Sequence, residues 1–333
     1  MKLSAKQALQ VLASFVVAIL IFWYLYKDIK MDSLLNALQQ ASIPFIALSV
    51  AFSVFGYWLR AWRWRLLIKV GEERVPSSIR IFWALMGGYL ANLLIPRAGE
   101  VARCGYLNKT DQIPMGKLLG TVILERTVDL VSMIIVIFIT FFAERAVFTQ
   151  LLGDLVSLQA LGEGLTGSLP IVLAALIIIG FLSYVVFAKY RDSTFIKKLR
   201  HFLRDLMVGL KSLNKVENQF GFWASTTVIW FVYFLMMYFV ALAIPSTANL
   251  TATAVLMVMV MGSIGMIAPV QGGIGTFHAL VAFILITYGL TEENGKIFAV
   301  IVHTSQVLTV MGLGAISVVI LAKLTSNKQP VIK

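Results

Sequence analysis

The chain has 333 residues, 59% of them hydrophobic and only 13% charged, with a mean hydropathy of +0.87. A soluble domain carries roughly a quarter of its residues as charges, so the composition excludes a water-soluble globular protein and points to a multi-pass membrane protein. The net charge of +12 does not call for nucleic acid: in a membrane protein, excess Lys and Arg collect in cytoplasmic loops or meet anionic lipid headgroups.

In chain order, the first apolar span is Ala8–Tyr26. It is long for a signal-peptide core, and no small-x-small cleavage pattern follows it, so removal is not expected. Ile43–Leu59 is the second span. "WLRAWRWRLLI" follows from Trp58, interleaving Trp58, Trp62 and Trp64 with Arg60, Arg63 and Arg65. At the end of a span this pattern reads as an interfacial anchor with snorkelling cations, and Lys69, Arg74 and Arg80 place that end in the cytoplasm. Ile79–Leu107 is apolar but broken at "IPRAG". Gly116–Ala143 is a full span, and the 144–169 loop, with Glu144, Asp154 and Glu163 against Arg145, suits the outside. Pro170–Ala188 returns inward to a basic, amphipathic segment, 189–218, expected on the inner membrane surface. Phe222–Ile244 spans outward; Ala252–Tyr288 is apolar but broken at "APVQGGIG"; Gly295–Ala322 is the last span, with Lys323, Lys328 and Lys333 inside.

These charges agree if each interrupted region enters and leaves on one side. The expectation is an all-α polytopic bundle forming a single membrane domain over 1–333. It has six full spans, two re-entrant or broken-helix hairpins (79–107 and 252–288) and both termini in the cytoplasm. Two short crossings per hairpin would give the same topology. Irregular backbone at membrane depth survives only where protein or water covers it. "GKLLGTVILERTVDL" from Gly116 and "GKIFAVIVHTSQVLT" from Gly295 each follow a broken region. The order span, hairpin, span therefore occurs twice, over about 43–143 and 220–322, as in inverted-repeat transporters with sites at their broken helices.

Four stretches carry chemistry. Arg97, Glu100 and Arg103 recur every three residues, as on one helical face, and Pro96 suits the first turn of a half-helix. Its N-terminus would favour an anion. "PVQGGIGTF" from Pro269 offers Gly272, Gly273 and Gly275 for left-handed backbone, with amide groups that can cradle phosphate beside Gln271; a helix is expected to begin near Gly275. "LERTVDL" puts Glu125, Arg126 and Asp129 inside an apolar span, roughly 13 Å from Gly116 along a helix. Charges at that depth cost at least about 2.5 kcal/mol each and usually mark a pathway; the other reading is a self-neutralising cluster that pins the first hairpin through Arg97 or Arg103. Finally, Thr304 and Ser305 stand where the first half has Glu125 and Arg126, with His303 beside them; His278 follows the second break. A lone histidine in a helix is more often a packing residue than a titrating one. One cysteine, Cys104, excludes an internal disulfide, and no spacing suits a metal, so neither metal nor other cofactor is expected.

With these residues in place, "NLLIPRAGEVARCGYL", "VILERTVDL" and "APVQGGIGTFH" resemble the lysylphosphatidylglycerol synthase transmembrane-region family, of flippase-like integral membrane proteins, over about residues 10–322. The resemblance implies a helical bundle with broken helices that moves a phospholipid between leaflets, or a link to polyprenyl-phosphate glycosylation. Family motif positions fall on Asn92, Pro96, Arg97, Gly99, Glu100, Arg103, Glu125, Arg126, Asp129, Pro269, Gly272, Gly273 and Gly275. His278 stands where the family commonly has a glutamate, and Ser305 where a basic residue is frequent. With the chain ending at Lys333, lysyl transfer would need a tRNA-binding module from a partner.

The function expected is a lipid translocase of a prokaryotic inner membrane, acting on an anionic phospholipid or a polyprenyl-phosphate lipid, passively or ion-coupled since no ATP-binding motif exists. The alternatives are an intramembrane lipid-modifying transferase, with Glu125 or Asp129 as base, and an accessory subunit of an envelope-synthesis complex. A homodimer, or a lipid-synthesis enzyme as partner, is compatible with the sequence but not legible in it.

Overall fold

The computed structural model describes Val16, Trp23, Lys211 and residues 31–70, 75–95, 97–155, 213–268 and 270–326. The expected span 170–188, most of 8–26 and of the basic segment 189–218, and Pro96 and Pro269 lie outside the described residues. The described residues fall into two compact units, one drawn from Met1–Glu144 and Lys215–Lys333, the other from Arg145–Asn214. Among the described residues every regular element is helical. The second unit contributes helix Arg145–Leu155, so the segment read as an outside loop begins as helix.

In the first unit, α1 (Met31–Gln40) leads to α2 (Ile43–Lys69), α3 (Ser78–Leu94), α4 (Ala98–Asp111) and α5 (Met115–Ala143). After the second unit come α6 (Gln219–Ala243), α7 (Ala252–Gly265), a single 3-10 turn (Gln271–Gly273), α8 (Thr276–Thr287) and α9 (Glu292–Ser326). Helices α2, α6 and α9 are long and apolar enough to cross a membrane, and α5 runs 29 residues. The chain is a polytopic helical membrane protein.

The helix starts are written locally. Ser77, Asn218 and Thr251 each accept a backbone N–H at the head of α3, α6 and α7, worth about 1 kcal/mol apiece. Pro44 sits in the first turn of α2, where a missing N–H costs nothing. Between apolar helices in lipid, close approach and interhelical hydrogen bonds replace the hydrophobic drive. So Ser49 Oγ donates to Met236 O at 2.8 Å, tying α2 to α6, and Ser317 Oγ donates to Trp83 O at 2.6 Å, tying α9 to α3.

Both broken regions are helix–break–helix hairpins. In the first, α3 and α4 pack against each other, and glycines let them touch. A Cβ on Gly99 would collide with Gly88 O and lie 2.6 Å from the Asn92 amide. In the second, α7 packs on α8, and Thr276 Oγ1 donates to Gly265 O at 2.7 Å across the crossing. Gly272, Gly273 and Gly275 have φ of 56°, 75° and 89°, the left-handed backbone that L side chains resist, and α8 starts at Thr276, as expected. The first break differs from expectation. Arg97 itself takes the left-handed conformation at φ 61°, and α4 begins only at Ala98. Arg97 therefore precedes the helix and does not share a helical face with Glu100 and Arg103.

Candidate functional site

Three helices bring charges to one place, and a fourth adds neutral partners. Helix α2 supplies Arg60 and Arg63, three residues apart and so on one face; α4 supplies Glu100 and Arg103; α5 supplies Glu125, Arg126 and Asp129; and α6 adds neutral partners. Glu125 is at the centre, 0% exposed. Its Oε1 accepts from Arg60 Nη2 at 2.6 Å and lies 3.6 Å from Arg63 Nη2. Its Oε2 is 2.8 Å from Arg103 Nη2, a close ion contact without hydrogen-bond alignment. Asp129 bridges the two α2 arginines, to Arg63 Nη2 at 2.6 Å and Arg60 Nη2 at 3.2 Å.

The remaining donors are shared with neutral groups. Arg60 Nη1 donates to Tyr233 Oη at 2.9 Å, and Arg63 Nη1 to Thr226 Oγ1 at 3.3 Å, both on α6. The Arg103 guanidinium lies over the Trp64 ring at 4.3 Å, a favourable cation–π placement away from water. Buried ions survive only when paired and hydrogen-bonded like this, since each isolated charge costs several kcal/mol.

Arg126 stands apart. Its side chain is 43% exposed, and its three carboxylate neighbours, Glu100, Glu125 and Asp129, are all 3.8 Å away. Four guanidiniums thus face three carboxylates, and the excess positive charge sits on the arginine held most loosely.

The two breaks meet at a second locus. Arg97 Nη2 donates to Ile267 O at 3.5 Å, and Leu93 packs within 3.3 Å of where a Cβ on Gly272 would stand. His303 Nε2 lies 2.7 Å from Gly272 O, with its ring 4.7 Å from that of His278. His278 Nδ1 accepts the Gly275 N–H at 3.3 Å, capping α8. Gln271 is buried in the turn, and Ser305 Oγ donates to Val302 O in its own helix. The leading amides expected to be free for an anion are partly taken: Ala98 N donates to Ile95 O, and Gly99 N to Asn92 Oδ1 at 2.6 Å.

So the expected site residues divide. Glu100, Arg103, Glu125, Arg126 and Asp129 converge, while Arg97, Gln271, Gly272, Gly273, Gly275, His278 and His303 gather at the breaks. No hydrogen bond or ion pair among the described residues joins Arg126 to the Gly272 turn. A line of neighbouring side chains runs between the two loci. His303 and Gln306 are neighbours on α9; Tyr57 Oη donates to Gln306 Oε1 at 3.1 Å; the Tyr57 ring meets Tyr89 at 5.4 Å; and Tyr89 lies 5.9 Å from the Arg60 guanidinium. Of the two pinning residues expected, Arg103 holds the cluster and Arg97 does not.

The structure corrects the reading of "WLRAWRWRLLI". Arg63 is 0% exposed, Arg60 and Trp64 are buried, and Trp64 Nε1 donates to Thr121 Oγ1 at 2.9 Å. Of the three tryptophans, Trp58 alone is exposed as an anchor would be. Arg60 and Arg63 do not snorkel because α2 continues to Lys69, placing them inside the helix, and α5 offers carboxylates opposite; Arg65 is half-buried and its Nε donates to Pro76 O at 2.9 Å. The apolar residues Leu66, Leu67 and Ile68 after Arg65 are the signal that the helix runs on.

A family model described as the lysylphosphatidylglycerol synthase TM region matches residues 11–314. The chain belongs to that family. It is also similar to a UPF0104 membrane protein of Methanocaldococcus jannaschii, 25% identical over 126 residues, covering 37% of this chain and 36% of that protein. The chain therefore aligns with about a third of that relative's length. No solved structure matches. Of the charge cluster, Glu100, Arg103, Glu125, Arg126 and Asp129 lie in the motifs that resemble the family, as does the glycine-rich break; Arg60 and Arg63 lie outside them.

Proposed function

We propose that this protein moves a lipid with an anionic, phosphate-bearing headgroup between the leaflets of a prokaryotic inner membrane. The phosphate engages Arg126, and the lipid tails stay in the bilayer. The observation that carries this reading is the excess guanidinium. Arg60, Arg63 and Arg103 are consumed by Glu125 and Asp129, whereas Arg126 is half exposed and, among the described residues, has no carboxylate closer than 3.8 Å. A phosphate can displace contacts that long and form charge-assisted bonds near 2.8 Å. Glu100 beside it keeps the site from holding the anion permanently. A glycerophospholipid and a polyprenyl phosphate share this headgroup chemistry.

The test uses protein reconstituted in phosphatidylglycerol vesicles, with headgroup-labelled phosphatidylglycerol followed by quenching of the outer leaflet. Arg126→Ala is expected to slow transfer by about tenfold or more, the loss of one charge-assisted contact, while Lys69→Ala, at an exposed ion pair, leaves the rate unchanged. Equal rates for wild type and Arg126→Ala would remove Arg126 from the mechanism.

A further inference from the structure

A groove of about 350 Å³ lies between α5, α6 and α7. Its walls are three helical stripes. Val136 and Ile139 come from α5, Trp230, Phe231 and Phe234 from α6, and Leu256 from α7. On α6 the residues follow i, i+1 and i+4, one face of a helix. The hydroxyls at its edge are already bonded: Thr227 Oγ1 donates to Trp223 O at 3.1 Å, and Thr253 Oγ1 pairs with Thr251 Oγ1. The Trp230 indole N–H is buried without a hydrogen-bond partner among the described residues, so what the groove presents to an occupant is overwhelmingly hydrocarbon.

Three observations select its occupant. First, size: an α-helix is at least about 10 Å across, so this space would hold less than one turn of one. A polymethylene chain, about 4–5 Å across at van der Waals contact, fills it over roughly 20 Å. Second, position: Val136 is seven residues beyond Asp129, on the same face of α5 and roughly 10 Å along it. Third, continuity: Trp230 in the wall meets Tyr233 edge-on at 5.9 Å, and Tyr233 accepts from Arg60 in the charge cluster.

We propose that this groove is a binding site for one acyl or prenyl chain of a membrane lipid, laid along α5 from the charge cluster. The route it implies rests on the translocase reading; its occupancy does not. A lipid whose phosphate reaches the charge cluster could lay a chain in the groove that runs on from it, and the walls would hold that chain in one path along the protein.

The experiment incorporates the full chain into phosphatidylglycerol vesicles doped with a phospholipid bearing a diazirine at the end of one acyl chain, irradiates them and maps the labelled peptides. Labelling is expected to concentrate on the 136–139, 227–234 and 252–259 peptides. Thr253→Trp, which fills the groove, lowers that labelling by about an order of magnitude, whereas Val228→Trp, on exposed α6 surface outside the lining, does not. Should Thr253→Trp fail to fold, competition decides: excess unlabelled phospholipid in detergent suppresses groove labelling saturably. Uniform labelling of all outward surfaces, or labelling that neither the Thr253→Trp substitution nor competition reduces, overturns the proposal. Arg126→Ala separates the two readings. Groove labelling that persists while lipid transfer by Arg126→Ala stays as fast as wild type removes the phosphate site at Arg126 and leaves the chain site standing; absence of groove labelling in wild type sinks the groove alone.

Discussion

Glu125 and Arg126 are adjacent in sequence and opposite in physical role. Glu125 is enclosed by Arg60, Arg63 and Arg103 within 3.6 Å; neutralising it leaves Arg60 and Arg63 with Asp129 and leaves Arg103 with no ion-pair partner among the described residues. Glu125→Gln is expected to destabilise the protein by about 3–5 kcal/mol, the cost of breaking a buried ion network, read as a large drop in thermal midpoint in detergent. Arg126→Ala, at a half-exposed site with long contacts, should change stability by no more than about 1 kcal/mol while slowing lipid transfer by about tenfold or more. A variant pair in which both substitutions unfold the protein equally would contradict this division of labour.

At the level of elements, the hairpins depend on two different uses of glycine. Gly99 allows backbone contact with Gly88, and the Asn92 amide then reaches the Gly99 N–H. Gly99→Val should force α3 and α4 apart at a cost of about 1–3 kcal/mol for overpacking and release that cap. Gly273 is needed both for its φ of 75° and because an added Cβ would strike Met266. Gly273→Ala therefore combines conformational strain of about 1–2 kcal/mol with a steric clash, and hydrogen exchange of α8 should rise in this variant more than in Gly120→Ala, where nothing lies near. The two breaks were legible as Pro- and Gly-bearing interruptions of apolar runs. That Arg97 takes a left-handed turn immediately before α4 was not, because a left-handed arginine has no sequence signature.

For the whole molecule, the order long helix, short helix, break, short helix, long helix occurs twice: α2 to α5, then α6 to α9. We infer from it, and from the distribution of basic residues, that the halves form an inverted repeat with both termini in the cytoplasm. In a Cys104→Ser background, a cysteine introduced at Lys328 should react with an impermeant thiol reagent only after the inner face is opened. Reaction from outside intact cells would reverse the topology.

Hydropathy alone determined that this chain is a helical membrane protein, where its long apolar runs lie and where two of them break, because each rests on residues close in sequence. The residues that resemble the family were equally legible as a short ordered set of motifs. What tertiary structure decided is partnership. Arg60 and Arg63 look like an anchor at a helix end until α5, about 65 residues later, brings Glu125 and Asp129 against them. With those partners assigned, the charge left unbalanced is Arg126. A charge's role in lipid is set by what lies opposite it in space, and no local pattern along the chain records that.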